Sequence, residues 1–436
     1  MGLAGNRPDR IALVALLALG AATHLAWFGH PAAVVFDEVH WGRDAVHYLR
    51  GSYFFDQHPP LAKLLFAGVA ALGGFPAGFD FRAIGEPYPD GTYLWMRALA
   101  CGFGIALAPL LFLFLRSLGL GGWASFVPGS LLALDGGFVG TARLVLPESM
   151  LCAFGLAAML VASRGGPALA AGLLLGAAAS VKWTALPFFV VAAMSSRRGA
   201  GSLASRARRA AVALLLAPAF VYAVASFAHL ARLRGPGEDL RFHNDWFREY
   251  RESPASRETA YDAARFPREF VEIHRLFVRA ARDPIPWPPA ASRFWEWPLG
   301  RKPIPAWGDA SRRIYVSGNL AAWWAGLLAV LLALVASLRR RDRSPPTAVA
   351  LSGWVATLLP FVLMPRPTFL YSYLPAQIFA LVAVGRALDR CGRRGKPIAS
   401  AVLLGAAAAT YFLLAPTTYG LRFPVRLGPL FEFLSR

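Results

Sequence analysis

An all-α, polytopic membrane protein is the fold class that the sequence predicts, on three observations. Of 436 residues, 56% are hydrophobic and only 16% charged, where soluble domains average about half apolar and a quarter charged; the mean hydropathy is +0.45. The apolar residues gather in runs such as 11–26, 98–115 and 320–338, each near the ~20 residues a helix needs to cross a bilayer core. Between such runs lie three basic clusters: Arg197, Arg198, Arg206, Arg208 and Arg209; Arg339–Arg341 with Arg343; and Arg386, Arg390, Arg393, Arg394 and Lys396. Cytoplasmic loops carry this mark. Topology therefore accounts for the net charge of +20 without nucleic acid, and anionic lipid headgroups give those loops a favourable partner.

In chain order the runs place spans near 11–29, 94–115, 122–141, 144–162, 167–181, 183–195, 210–230, 319–338, 347–364, 369–387 and 398–416, about eleven transmembrane helices. The first is a retained span, since it continues into Trp27–Phe28 and His30–Pro31 rather than a small-residue cleavage site. Lys182–Trp183 marks either a tight external turn or a kinked helix. A cytoplasmic N-terminus puts all three basic clusters on the cytoplasmic face and the C-terminus outside. The chain then divides into an N-terminal transmembrane module (1–230) with a long first external loop (about 30–93), an external cap (231–318) and a C-terminal transmembrane module (319–436). Cys101, Cys152 and Cys391 have no paired spacing, so neither a disulfide framework nor a zinc site is expected.

The first loop is amphipathic. Val39, Ala45, Val46, Tyr48 and Leu49 suit a short helix, and Pro59–Pro60 opens an apolar segment through about Ala71. Helices lying in the interface plane are expected, with Trp41, Tyr48, Tyr53, Phe54 and Phe55 at headgroup depth. The stretch 231–318 mixes charges with a Trp/Pro-rich tail at 284–307 and has no strong strand pattern.

The strongest chemical signal is Asp37-Glu38, just after the first span. An acidic doublet in a loop is commonly solvated, but Phe36, Val39 and Trp41 beside this one favour a partly buried setting. One carboxylate there suits a base that takes the proton from an attacking hydroxyl, and Asp37 is assigned that role. Next, the prolines after Asp56-Gln57-His58 stiffen a helix start that holds His58 and Lys63 toward the same place; lone residues of these types are otherwise snorkelling or capping groups. Arg97, Arg143, Lys182 and Arg366 stand at the outer ends of spans, against the positive-inside bias, where a phosphate would balance them. No Gly-rich phosphate loop or His/Cys metal cluster occurs. Asp-Glu is able to hold Mg²⁺ or Mn²⁺, but no third and fourth carboxylate are evident, so metal-independent chemistry without a cofactor is expected.

Seven blocks, FDEVHWGRDAVHYLRGSYFFDQHPPLAKLL (36–65), MRALACGFG (96–104), LDGGFVGTARLVLPESML (134–151), SVKW (180–183), FWEWPLGRKPI (294–304), SGNLAAWW (317–324) and RPTFLYSYLPA (366–376), resemble the protein O-mannosyltransferases of the GT-C glycosyltransferase superfamily, in that family's order. The resemblance implies a GT-C fold and an inverting mannosyltransferase. Its donor would be mannose on polyprenyl or dolichyl phosphate, and its acceptor a Ser or Thr hydroxyl of an exported protein, with the export machinery as a further partner. It assigns the catalytic pair to Asp37 and Glu38 and the family's essential second-span arginine to Arg97. Arg143, Lys182, Arg366, His58, Lys63, His40 and Tyr371 become donor-phosphate or site-lining candidates. The chain departs from the family pattern at Pro147-Glu148, where Leu-Asp is commoner, and at Ser372, where His is commoner. The stretch 231–318 is also too short for the β-trefoil domain that eukaryotic members insert there, which implies a prokaryotic member in the cytoplasmic (inner) membrane with its active site outside. A related GT-C enzyme moving aminoarabinose or a pentose onto a glycolipid or polysaccharide is the alternative. A transporter is disfavoured by the lack of symmetric broken-helix halves.

Overall fold

In the computed structural model, which describes residues 7–196, 202–283 and 285–435, each of the eleven apolar runs carries helix. After α1 (Arg7–Leu25) come α2 (Glu38–Arg50) and α3 (Leu61–Leu72) of the first loop. Then follow α4 (Leu94–Ser117), α5 (Gly122–Ala133), α6 (Gly136–Ala142), α7 (Glu148–Ser163), α8 (Ala168–Val181) and α9 (Leu186–Ser196). α10 (Leu203–Ala211) runs through a π turn into α11 (Ala217–Arg232). The second long segment forms α12 (Asp245–Glu252), α13 (Pro254–Glu258), α14 (Phe266–Arg282) and a hairpin of β1 (Ile304–Gly308) and β2 (Arg313–Val316). The chain closes with α15 (Leu320–Leu338), α16 (Pro345–Val362), α17 (Leu374–Arg390), α18 (Gly395–Tyr419) and α19 (Gly428–Ser435).

Among the described residues, six helical stretches are long and apolar enough to cross a membrane; α7, α8 and the helix at 183–195 are apolar but shorter. The run 122–141 breaks at Asp135, whose carboxylate accepts from Gly137 N at 2.8 Å and caps α6. Lys182 is extended, with φ −152° and ψ 144°, between α8 and the 3₁₀ turn that starts the next helix, so Lys182–Trp183 forms a turn rather than a kink. Val14, Phe220, Leu328 and Phe412 are each more than half exposed, an outward apolar surface suited to hydrocarbon and not to water. This is an integral, multi-pass membrane protein.

The basic loops gather at one end of the bundle. Arg116, at the end of α4, pairs with Asp9 at 3.2 Å, and Arg386 and Arg390 both pair with Asp342 of the α15–α16 link, at 2.9 and 3.1 Å. Ser117 and Ser163 join the ends of α4 and α7 by a 2.6 Å hydrogen bond, and Arg209 donates to the carbonyls of Gly165 and Gly166 just beyond. Arg197 and Arg198 lie outside the described residues. Arg97 is near the other end of α4, ~28 Å from Arg116 at 1.5 Å per residue, close to the thickness of a hydrocarbon core.

Two expectations are corrected. Trp41, Tyr48, Tyr53 and Phe54 are all under 5% exposed and sit inside the protein rather than against lipid headgroups, because the end of α11 and the segment that follows it pack over the first loop. Tyr48 Oη meets His229 Nδ1 at 2.6 Å and Tyr53 Oη meets His243 Nε2 at 2.8 Å. The backbones also pair, with Tyr53 N donating to Gly235 O and Gly235 N to Gly51 O. Burial of the rings follows from this second layer, which satisfies their hydroxyls. The cap also contains strands: Ile304 pairs with Val316 and Gly308 with Arg313, and the hairpin reaches the first loop through Phe36 N to Ala306 O at 3.0 Å.

The junction of cap and first loop is tight at Gly237, where a Cβ would stand 1.8 Å from the Tyr53 carbonyl oxygen. Gly237→Ala is therefore expected to destabilise the protein by about 1–3 kcal/mol, read as a lower thermal midpoint in detergent. Gly78→Ala, with open space around it, should leave the midpoint unchanged.

Candidate active site

At the end of the bundle away from the basic loops lies a cavity of about 740 Å³. Its floor is the start of α2. Asp37 is the residue before that helix, and Asp37, His40, Trp41 and Asp44 all line the cavity, a spacing of three, four and seven that puts them on one helical face. The chain enters through Phe36 at φ 46°, a left-handed conformation that is strained for a bulky residue. It is held there by the bond to Ala306 and by edge contacts with the rings of Phe369 and Tyr371. Asp37 O accepts from His40 N and Trp41 N at 2.9 and 3.0 Å, which leaves its carboxylate free to face the cavity, where Tyr371 Oη donates to Oδ2 at 3.2 Å.

Glu38, one residue on, points the other way and is fully buried. Its carboxylate takes Arg97 Nε on one oxygen and Nη2 on the other, both at 2.8 Å. Val35 N, Tyr88 Oη and Val145 N donate to it at 2.8, 3.0 and 2.9 Å. The remaining Arg97 donors go to the carbonyls of Gly29, Pro31 and Ala33 at 2.9, 2.7 and 2.9 Å. All five guanidinium N–H groups are thereby used, and neither residue lines the cavity.

Two further candidates, Arg143 and Lys63, also lie outside the cavity wall and bond to protein groups instead. Arg143 Nη2 donates to Ala26 O and Trp27 O, and the guanidinium lies 4.5 Å from the Tyr419 ring centre. Lys63 Nζ bonds Asp56 Oδ2 at 2.5 Å and His58 O at 2.8 Å, bracing the segment that carries both. Arg97, Arg143 and Lys63 thus stand behind the cavity wall, Arg97 and Lys63 held by carboxylates and carbonyls and Arg143 with its Nε buried and unpartnered.

Lys182, Arg366, His58, His40 and Tyr371 do line the cavity together with Asp37. Lys182 Nζ lies 2.5 Å from Glu148 Oε1, 4.9 Å from the Tyr371 ring centre and 5.5 Å from that of Trp41. Arg366 Nη1 donates to Gln57 Oε1 and, at 2.7 Å, to Ala280 O. His58 stacks on Trp41 with ring centres 5.6 Å apart.

Burial pushes Asp37 up to about 7, against the pull of the Lys182 charge. Burial likewise raises Asp44 to about 8, opposed by Lys63, and lowers His58 to about 3. Burial would also raise Asp56, but the Lys63 ammonium beside it holds it well below the carboxylate range. The site therefore combines a carboxylate poised near neutrality with fixed cations, which suits proton removal beside a departing anion. Among the described residues no group of three or more His, Cys, Asp or Glu is placed to hold a metal ion.

Asp44, Asp56, Gln57 and Glu148 line the cavity and were missed in the sequence. The signal for Asp44 was its seven-residue offset from Asp37; Asp56 and Gln57 precede the candidate His58 directly. Nothing in the sequence marked Glu148 beyond its departure from the family pattern.

The fold is that of a multi-pass GT-C membrane protein. It superposes on the Saccharomyces cerevisiae protein O-mannosyltransferase Pmt1-Pmt2 complex bound to the sugar donor with a TM-score of 0.88 at 20% identity, covering 100% of this chain and 93% of that one. ArnT from Cupriavidus metallidurans bound to undecaprenyl phosphate superposes at 0.54 and 16% identity, covering 92% and 64%. Residues 14–231 match the family described as dolichyl-phosphate-mannose-protein mannosyltransferase, and residues 266–426 the C-terminal four TMM region of protein-O-mannosyltransferase. The chain belongs to the protein O-mannosyltransferase family. It is 40% identical over 190 residues to dolichyl-phosphate-mannose–protein mannosyltransferase 1 of Saccharomyces cerevisiae, covering 40% of this chain and 23% of that protein. To protein O-mannosyltransferase 1 of Drosophila melanogaster it is 38% identical over 180 residues, covering 38% and 20%. This chain thus spans under a quarter of the length of these curated relatives.

Removing one member of a fully buried ion pair strands the other, at a cost of about 3–5 kcal/mol. Glu38→Ala and Arg97→Ala should each lower the thermal midpoint sharply, whereas the double variant should lose clearly less than the sum. Additive losses would show that the pair is not the coupling unit.

Proposed function

We propose that this chain transfers mannose from polyprenyl (dolichyl-type) phosphate mannose to Ser or Thr hydroxyls of exported proteins, with inversion at the anomeric carbon. The observation that carries the reading is one cavity holding a near-neutral carboxylate, Asp37, with two cations, Lys182 and Arg366. The activity for which the family and the relatives are named supports it. The acceptor oxygen attacks the anomeric carbon as its proton passes to Asp37, and the bond from that carbon to the phosphate oxygen breaks. The bonding pair leaves with the polyprenyl phosphate, whose charge Lys182 and Arg366 stabilise. Phosphate departs as a weak base, so no second carboxylic acid is needed. In this reading the phosphate charge rests on side chains, without a metal or other cofactor.

The same reading places the basic loops in the cytoplasm by the positive-inside rule, the cavity on the opposite face of a prokaryotic inner membrane, and the export machinery as the source of acceptor chains. Glu38 and Arg97 support Asp37 without touching substrate.

The test is transfer from labelled polyprenyl-phosphate mannose to a Ser/Thr peptide by the purified protein in detergent, with mass spectrometry of the product. Polyprenyl-phosphate aminoarabinose and glycolipid acceptors run beside it; transfer to those alone would replace the reading with the glycolipid alternative. Asp37→Asn, close in shape but no base, should lower the rate at least 10²-fold while donor binding persists. Near-wild-type turnover in that variant would remove Asp37 from the role.

Because Asp37 acts deprotonated, kcat/KM should rise as pH increases through about 7, the value to which burial moves it. A profile flat from pH 5.5 to 8.5 would mean that this carboxylate does not limit the reaction.

A further inference from the structure

One carboxylate in the cavity wall has no part in the proton transfer. Glu148 opens α7, is 4% exposed and lines the cavity. Its Oε1 takes the Lys182 ammonium at 2.5 Å. Its Oε2 is buried with no hydrogen-bond partner, unlike Glu38, on which five donors converge. An unsatisfied buried carboxylate oxygen is costly. In a cavity wall it marks a place for a donor that arrives with the ligand.

The substrates restrict what that donor is. A phosphate diester presents only acceptor oxygens, which a carboxylate repels, and an isoprenoid presents none. The acceptor hydroxyl has a single proton, and the reaction delivers it to Asp37. Before an acceptor chain with its own N–H groups arrives, the hydroxyls of the sugar ring are the donors that the lipid-linked substrate brings. Lys182 stands between the two carboxylates in charge terms: it pairs with Glu148 and its field reaches Asp37. A sugar whose phosphate meets Lys182 and whose anomeric carbon faces Asp37 therefore presents its ring hydroxyls to the wall that Glu148 forms.

We propose that Glu148 recognises the transferred sugar, with Oε2 accepting a hydrogen bond from one ring hydroxyl while Oε1 holds Lys182 toward the phosphate. The assignment rests on the transferase reading above and adds a specificity-determining contact to it.

The experiment compares binding of polyprenyl-phosphate mannose with analogues singly deoxygenated at C2, C3, C4 or C6, without acceptor, in the wild type and in Glu148→Met and Glu148→Gln. In the wild type one deoxy analogue should bind about 10–100-fold more weakly than the parent, the size of a hydrogen bond to a charged group. In Glu148→Met that ratio should fall to near one. In Glu148→Gln, where a neutral bond replaces a charged one, it should shrink, and this variant carries the test if the Met variant does not fold. A role confined to holding Lys182 would weaken all donors alike and leave every ratio as in the wild type; that result overturns the proposal, as does a wild type indifferent to every deoxygenation. If the wild type binds a different lipid-linked sugar instead of mannose, the mannose reading fails separately, and the deoxy series on that sugar tests Glu148 by the same ratios.

Discussion

The candidate site depends on one buried interaction, the bidentate bond between Glu38 and Arg97. Two ionised groups out of water are a poor source of net stability in themselves. What this pair does is geometric. Its spare donors hold the carbonyls of residues 29, 31 and 33, and its spare acceptors hold the backbone at 35 and 145. The end of the first span, the start of α2, the start of α4 and the link before α7 are thereby tied at one point. Asp37 is adjacent to that knot and takes its direction from it.

Two neighbouring carboxylates consequently have opposite fates. Glu38 is surrounded by donors and serves as a fixed counter-ion. Asp37 has one hydroxyl donor, a cation nearby and a half-buried position in the cavity wall, so its proton affinity rises to where a base works best at neutral pH. The difference comes from helix geometry: successive residues project about 100° apart, and only one of the two can face the cavity. A second tier repeats the logic, with Lys63 keeping Asp56 ionised while burial drives Asp44 the other way.

Much of this was legible in the sequence, for a physical reason. Hydrocarbon tolerates little but apolar side chains, so the runs at 98–115 and 320–338 announce helices by composition alone, and Asp37 stands out because a carboxylate beside a span needs a purpose. The cations were harder. Arg97, Arg143, Lys182 and Arg366 look alike as charges at span ends, yet only the last two reach the cavity, because the sequence does not say which carbonyls an arginine will find. The first-loop aromatics misled similarly: amphipathic periodicity reads the same whether the apolar face meets lipid or, as here, a folded cap. Glu148 was hidden because an acid in the first turn of a helix ordinarily serves the helix dipole.

The central claim is that the knot at Glu38 and Arg97 aims Asp37 at the acceptor hydroxyl while Lys182 and Arg366 hold the donor phosphate. The most direct measurement is a cryo-EM structure with a non-transferable donor analogue and a Ser/Thr peptide. The account expects an Asp37 carboxylate oxygen about 2.6–3.2 Å from the acceptor hydroxyl, phosphate oxygens against Lys182 and Arg366, and an intact bidentate pair beneath. A phosphate bound at Arg97 or Arg143, or a hydroxyl out of reach of Asp37, would contradict it.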